Sequence, residues 1–181
     1  GNRFLDELRR ADVLLHIVDA SGGTDLEGKV CRVGTHDPTE DVKFLEHEIL
    51  MWMFQILSKD WDRLAKSSEI SGADFLSQLE QRVSGLSISR KQVITAVRKL
   101  GLNESRPTTW TQDDLMRFVE VLRQESKPIV IVANKADLPV AEDNIRRLQD
   151  QFRSLPIIPC SAASELALKR AAEKGFISYS Q

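Results

Sequence analysis

Three short segments of the chain are almost continuously apolar: Val13-Leu14-Leu15-His16-Ile17-Val18, Ile129-Val130-Ile131-Val132-Ala133 and Pro156-Ile157-Ile158-Pro159-Cys160. Compact runs of this kind, rich in β-branched residues and without alternation, are the pattern of strands covered on both faces in a parallel sheet. The stretches around them repeat apolar residues at the three-to-four spacing of helices. Strand-like runs alternating with helical patterns predict an α/β fold with parallel strands and crossover helices. The connection between the first two runs is unusually long: Val18 and Ile129 lie about 110 positions apart, whereas roughly 10–12 residues suffice for a crossover.

Most of that interval has helical periodicity. Asp37-Pro38-Thr39-Glu40 combines an N-cap residue, a proline at the first helical position and a capping-box glutamate. Leu45, Ile49, Trp52, Met53 and Ile56 follow at helical spacing and predict one long helix over 38–59. Further faces are formed by Phe75, Leu76, Leu79 and Val83, and by Val93, Ile94, Val97 and Leu100. Gly85 and Gly101 stand where glycines commonly end helices, and Ser89 to Gln92 forms a second capping box. Thr111 opens a helix with Leu115, Phe118, Val119 and Leu122 on one face, which Lys127-Pro128 stops. The expected organisation is an α/β part over 1–36 and 127–181, interrupted by an all-helical insertion over 37–126 whose core Trp52, Trp61 and Trp110 would pack.

The strongest chemical signal lies at the end of the second strand, in Ile129-Val130-Ile131-Val132-Ala133-Asn134-Lys135-Ala136-Asp137. A strand running into Asn-Lys-x-Asp resembles the base-recognition motif of the GTPase superfamily. A carboxylate at the fourth position can accept hydrogen bonds from both the N1–H and the exocyclic amino group of guanine. Adenine does not present that pair of donors, so Asp137 would discriminate through unmatched lone pairs. The aliphatic stem of Lys135 can lie over one purine face, and Asn134 can tie neighbouring loops together and approach the base edge. Four residues alone would also suit a polar turn ahead of Leu138-Pro139. After a helical pattern with Ile145, Leu148 and Phe152, however, the next strand ends in Cys160-Ser161-Ala162-Ala163. Ser-Ala-x occupies this place in the superfamily, where backbone N–H groups meet the guanine O6; Ser161 also suits a helix N-cap. The candidate guanine-binding set is therefore Asn134, Lys135, Asp137, Ser161, Ala162 and Ala163, at the carboxyl ends of parallel strands as ligand sites in such folds are.

The similarity extends along the chain. The opening Gly1-Asn2-Arg3-Phe4-Leu5-Asp6-Glu7-Leu8-Arg9-Arg10-Ala11-Asp12, His16-Ile17-Val18-Asp19-Ala20-Ser21-Gly22, Gly34-Thr35-His36-Asp37-Pro38 and Glu165-Leu166-Ala167-Leu168-Lys169-Arg170-Ala171-Ala172 resemble the Obg-related GTPases, in particular their archaeal YchF-like, Obg-like branch. The resemblance implies a Ras-like P-loop NTPase fold in three layers, GTP and GDP as ligands, Mg2+ as cofactor, GTP hydrolysis by the intact protein, a cytoplasmic setting, and association with ribosomes or translation factors. Some members of the wider family depart from Asn-Lys-x-Asp and prefer ATP; retention of Asn134, Lys135 and Asp137 favours GTP. The 181 residues contain no G-x-x-x-x-G-K-[ST] loop to cradle phosphates, and no D-x-x-G segment precedes the first strand. In the family both lie upstream of a Gly-Asn-Arg segment, and a TGS domain lies downstream. The expectation is thus the second half of a G domain, with the Mg2+ ligands outside this chain, no catalytic residue within it and no GTP hydrolysis by it alone. The chain begins Gly1-Asn2-Arg3 without an initiator methionine or signal peptide, so Gly1 is expected to be a processing product, an introduced boundary or the cut end of something longer.

Composition narrows the field only a little. Twenty-five lysines and arginines against 27 acidic residues give a net charge of −2, which offers no electrostatic basis for DNA or anionic-membrane binding. The longest apolar runs, such as Ile49 to Phe54, fall far short of the ~20 residues of a membrane span. Two cysteines make no disulfide framework, and Cys31, His36 and His47 lack zinc-site spacing. His16 reads as a packed core histidine, Cys160 as a small core residue, and the Arg9-Arg10 and Arg146-Arg147 pairs as solvated helix faces. The alternative is a helical interaction module, associated with translation, that carries a vestigial or ATP-tolerant nucleotide site. Another P-loop enzyme, such as a kinase, is disfavoured by the order of the two base motifs.

Overall fold

The computed structural model describes residues 7–9 and 11–179. Gly1–Asp6, part of the segment that carries the resemblance, and Arg10 lie outside the described residues. Two compact units divide the chain: one holds Glu46–Pro128 with the described residues up to Leu14, the other Leu15–Leu45 with Ile129 to Tyr179.

The second unit is built on a sheet of β1 (Leu14–Asp19), β2 (Ile129–Asn134) and β3 (Ile157–Pro159) in the order β1-β2-β3. All run parallel. The Leu14 N–H donates to Pro128 O and the Ala20 N–H to Asn134 O, both at 2.9 Å, while Ile131 is in register with Ile157 and Ala133 with Pro159. All three predicted strands are present, but they are not equally covered. β2 buries Ile129, Ile131 and Ala133. β1 instead buries Leu14 and Val18 while leaving Leu15 (67%) and Ile17 (65%) exposed. The expectation of two covered faces thus fails for β1: its apolar run packs on one side only. β3 is short, and Ile158 is exposed on it.

Helix α1 (Pro38–Ser58) starts as its sequence demands. The Thr39 N–H donates to Asp37 Oδ1 at 3.0 Å, whereas Glu40 turns to Lys43 (2.9 Å) rather than back to the cap. The crossover helix α6 (Ala141–Gln151) lays Ile145 and Leu148 into the core, and its buried Asn144 donates to Ala20 O at 2.7 Å. The Arg146-Arg147 pair is not a plain solvated face: Arg147 bonds Asp37 at 3.1 Å and the Asn144 amide oxygen, and only Arg146 keeps to its own helix, on Glu142.

The first unit is helical: α2 (Trp61–Ser71), α3 (Phe75–Val83), α4 (Arg90–Leu100) and α5 (Gln112–Ser126), with 3-10 turns at Ser84–Leu86 and Pro107–Thr109. Side chains close the starts of α3, α4 and α5, whereas α2 begins without one. Asp74 accepts from the Ser77 N–H, Ser89 and Gln92 form the expected capping box, and Thr111 and Asp114 form another. Gly101 ends α4 in the left-handed conformation, at φ 63°, that favours glycine. Gly85 does not end a helix: it lies inside the 3-10 turn, and the left-handed residue there is Ser87. Trp61, Phe75, Trp110 and Phe118 interlock with ring centroids 5.4–5.8 Å apart, mostly edge to face. The Trp110 indole N–H finds Asn103 O at 2.9 Å. Trp52 is only half-buried, so two of the three expected tryptophans build this core. After α5, the buried Lys127 ammonium donates to Arg9 O (2.9 Å) and Ala11 O (2.8 Å). Burial pulls its pKa down against the pull of Asp12.

Candidate functional site

The site forms where β2 and β3 end. Beyond Asn134 the chain turns sharply because Lys135 adopts φ 63°, a left-handed conformation that costs a non-glycine residue about 1–2 kcal/mol and concentrates at functional positions. The Leu138 N–H then donates to Lys135 O at 3.1 Å and the Ala136 N–H to Cys160 O at 3.0 Å, which locks this turn against the end of β3. On the other side Ser161 caps α7 (Ala162–Glu173), accepting from the Ser164 N–H.

Asn134 joins the two loops. Its Oδ1 accepts from the Lys135 N–H (2.9 Å) and the Ala162 N–H (3.1 Å), with the Cys160 thiol at 3.6 Å. Those donors orient the amide, so Nδ2 presents its hydrogens; among the described residues it has no acceptor. Asp137 is exposed, and its Oδ1 accepts from the Ser161 hydroxyl at 2.5 Å. Ala163, also exposed, sits in the first turn of α7, where backbone N–H groups have no intrahelical partner. The structure therefore brings together all six residues singled out from the sequence. Ala162 differs from expectation in one respect: its N–H is already engaged by Asn134.

Lys135 reaches back to β1. Its ammonium lies 2.7 Å from Asp19 Oδ2, which also accepts from the Thr24 hydroxyl at 2.7 Å. Asp19 Oδ1 accepts from the Ser21 N–H (3.0 Å) and hydroxyl (2.6 Å). Burial alone would raise the Asp19 pKa, but the bonds from Lys135, Ser21 and Thr24 outweigh it and hold the carboxyl down at about 2. Sequence reasoning missed Asp19, Ser21 and Thr24 as site residues. The available signal was position, since a carboxylate at the end of β1 lies on the same sheet edge as the end of β2. Asp19-Ala20-Ser21-Gly22 also has D-x-x-G spacing, yet its carboxylate is saturated by protein donors and the Gly22 N–H is committed to Asp19 O.

A cleft of about 360 Å³ runs along β1 to this point, lined by His16, Asp19, Asp41, Asn134 and Lys135 among others. His16 is half-buried on its wall rather than packed in the core. Its Nδ1 is buried without a hydrogen-bond partner, and burial lowers its pKa while Asp41 raises it. Asp41 bonds His36 Nε2 at 2.9 Å. The Cys31 thiol contacts Gly22 O at 3.6 Å. Among the described residues no group of three or more His, Cys, Asp or Glu could hold a metal ion, and no helix is long and apolar enough to cross a membrane.

Comparisons with known proteins bear on the family and the fold. The family described as Obg-like GTPase YGR210-like, G4 motif-containing domain, matches residues 132–181, the segment that contains all six candidate residues. The chain is 46% identical, over 98% of its length, to an uncharacterized GTP-binding protein of Methanocaldococcus jannaschii, of which it covers 44%. It is 34% identical, over its whole length, to one of Schizosaccharomyces pombe, again covering 44%. The crystal structure of a GTP binding protein from Pyrococcus horikoshii superposes with a TM-score of 0.86 at 45% identity, over 97% of this chain and 51% of that one. The chain thus spans about half the length of the relatives it matches. Residues 132–181 thus belong to the Obg-like GTPase YGR210-like family as its G4 motif-containing domain, and the chain as a whole is homologous to GTP-binding proteins of the Obg and YchF group and shares their α/β fold.

Proposed function

We propose that this chain provides the guanine-recognition half of a GTP-binding protein that hydrolyses GTP in its intact form. The observation that carries the reading is the exposed Asp137 carboxylate, oriented by Ser161 at 2.5 Å and set beside Asn134 and the start of α7. Asp137 accepts from guanine N1–H and N2–H, the Asn134 amide Nδ2 faces the base edge, and amide groups at the start of α7 meet O6. Ser161 acts as a brace for Asp137 rather than as a direct base contact. The stem of Lys135 supports one face of the purine. Phosphate binding and Mg2+ chemistry draw on residues other than these: the 181 residues contain no G-x-x-x-x-G-K-[ST] loop, and the described acidic residues form no metal-ligand group.

The test is calorimetric titration of the chain with GDP, GTP and ATP, alongside Asp137→Asn. The wild type should prefer guanine nucleotides. The variant should lose about 100-fold in GDP affinity, the order expected when hydrogen-bonding groups are left mismatched on binding, and should gain preference for xanthosine diphosphate. Indifference of the nucleotide preference to Asp137→Asn would instead favour a helical interaction module, centred on residues 37–126, with a vestigial base site.

A further inference from the structure

Lys135 is held at both ends. Its backbone is pinned in a left-handed turn, with its N–H on Asn134 Oδ1 and its carbonyl accepting from Leu138. Its ammonium is pinned on Asp19. What remains open is the stem between: the Lys135 side chain is 46% exposed, whereas that of Asp19 is 12% exposed. Asp19 in turn has little freedom. Ser21 holds one carboxylate oxygen through two donors, and Thr24 shares the other with Lys135. The anchor sits beside a fixed point of the sheet, because the Ala20 N–H donates to Asn134 O at 2.9 Å. A free lysine samples many rotamers, and a ligand resting on its stem would have to overcome that entropy. Here that freedom is removed on folding, before any ligand arrives.

We propose that Asp19 is a positioning residue of the base site, which fixes the Lys135 stem as a preformed floor for the purine, with Ser21 and Thr24 holding Asp19 in place. The inference rests on the guanine reading above and adds residues outside the Asn-Lys-x-Asp segment to it. Asp19 acts on affinity and not on base identity. The floor meets a purine face, which guanine and xanthine share, while their edges are distinguished at Asp137. It also acts only through Lys135, so its effect must vanish when that side chain is removed.

The test is a double-mutant cycle for GDP binding on the full chain, with Asp19→Asn, Lys135→Ala and the double variant, and thermal melts to confirm folding. Asp19→Asn should weaken GDP binding about tenfold, a loss of the order expected when one rotamer-rich side chain must be ordered on binding. Lys135→Ala should weaken it at least as much, and the double variant no more than Lys135→Ala alone. In the Asp137→Asn background, Asp19→Asn should weaken xanthosine diphosphate by the same factor. Additive losses, unchanged binding in Asp19→Asn, or unequal effects on the two nucleotides overturn the proposal. Should Asp19→Asn fail to fold, Thr24→Val takes its place; it should cost two- to threefold only while Lys135 is present, and equal costs with and without Lys135 overturn the proposal. Failure of Asp137→Asn to switch base preference overturns the guanine reading and this inference with it. A normal switch with an additive cycle overturns this inference alone.

Discussion

The two compact units put polar side chains to different uses. In the helical unit, polar groups mostly close helix ends: Asp74, Ser89 and Thr111 each cap a start, and apart from the buried Ser68, Arg123, Ser126 and Lys127 the interior is left to Leu79, Val93, Phe118, Leu122 and the tryptophan-phenylalanine cluster. In the α/β unit, polar groups hold other polar groups. Asn134 orients two loops, Ser161 holds Asp137, and Ser21 and Thr24 hold Asp19, which holds Lys135. That unit also leaves Leu15, Ile17 and Ile158 in the open. An interior of close-packed rings resists change at any one of them, whereas a chain of polar braces is sensitive at each link but contributes little to stability overall. The helical unit is therefore where substitutions should cost stability, and the strand ends are where they should cost binding.

The largest effect should come from Phe118→Ala. Phe118 is fully buried against Trp110, 5.4 Å between centroids, and truncation removes its apolar area and leaves a cavity among rings that cannot collapse freely. The expected loss is about 3–5 kcal/mol, read as a fall in denaturation midpoint. A loss below 1 kcal/mol would show that the aromatic cluster is not the tight interior described. Next comes a place beside the strand ends where the α/β unit should be nearly as intolerant. Gly22 adopts φ +62°, and a Cβ there would stand 2.3 Å from the His36 carbonyl oxygen. Backbone strain and the clash together put Gly22→Ala at about 2–3 kcal/mol, measured in the same way. Thr111→Ala should cost about 1 kcal/mol, since it removes both the acceptor for the Asp114 N–H and one partner of the capping box.

How far the sequence reveals this contrast depends on whether the determinant is local. The capping box at Ser89 and Gln92, the proline start of α1, and the stop at Lys127-Pro128 involve neighbours in the chain, and each is where the pattern puts it. The six motif residues converge because each trio follows a strand end, and two adjacent parallel strands bring their ends together. The Asp19 anchor depends on the register between β1 and β2, across more than a hundred intervening residues, and no spacing rule encodes that. The one-sided packing of β1 was illegible for a similar reason: an apolar run states what a strand can bury, not how many layers lie against it. Gly85 shows the limit at short range, because a 3-10 turn moved the left-handed residue to Ser87.

The smallest effect separates the polar braces from the packed interior by acid. Asp19 is the brace with the most depressed carboxyl in the α/β unit, held at about 2 where an ordinary aspartate has 3.8. A carboxyl whose folded pKa lies below its unfolded one contributes stability that is complete above the unfolded value and is lost as pH falls through the folded one. Its contribution should therefore be constant from neutrality down to about pH 4 and decline between about pH 4 and 2. Because Lys135 is half exposed, solvent screens the pair, and the contribution should stay below about 1 kcal/mol. Asp19→Asn removes the titrating group, so the difference in stability between wild type and variant should shrink across that window while remaining flat above it. Phe118→Ala, which removes no ionisable group, should keep a constant difference from wild type throughout. A Phe118→Ala difference that also shrank below pH 4 would mean that acid reaches the aromatic interior, and the division between packed core and polar braces would fail.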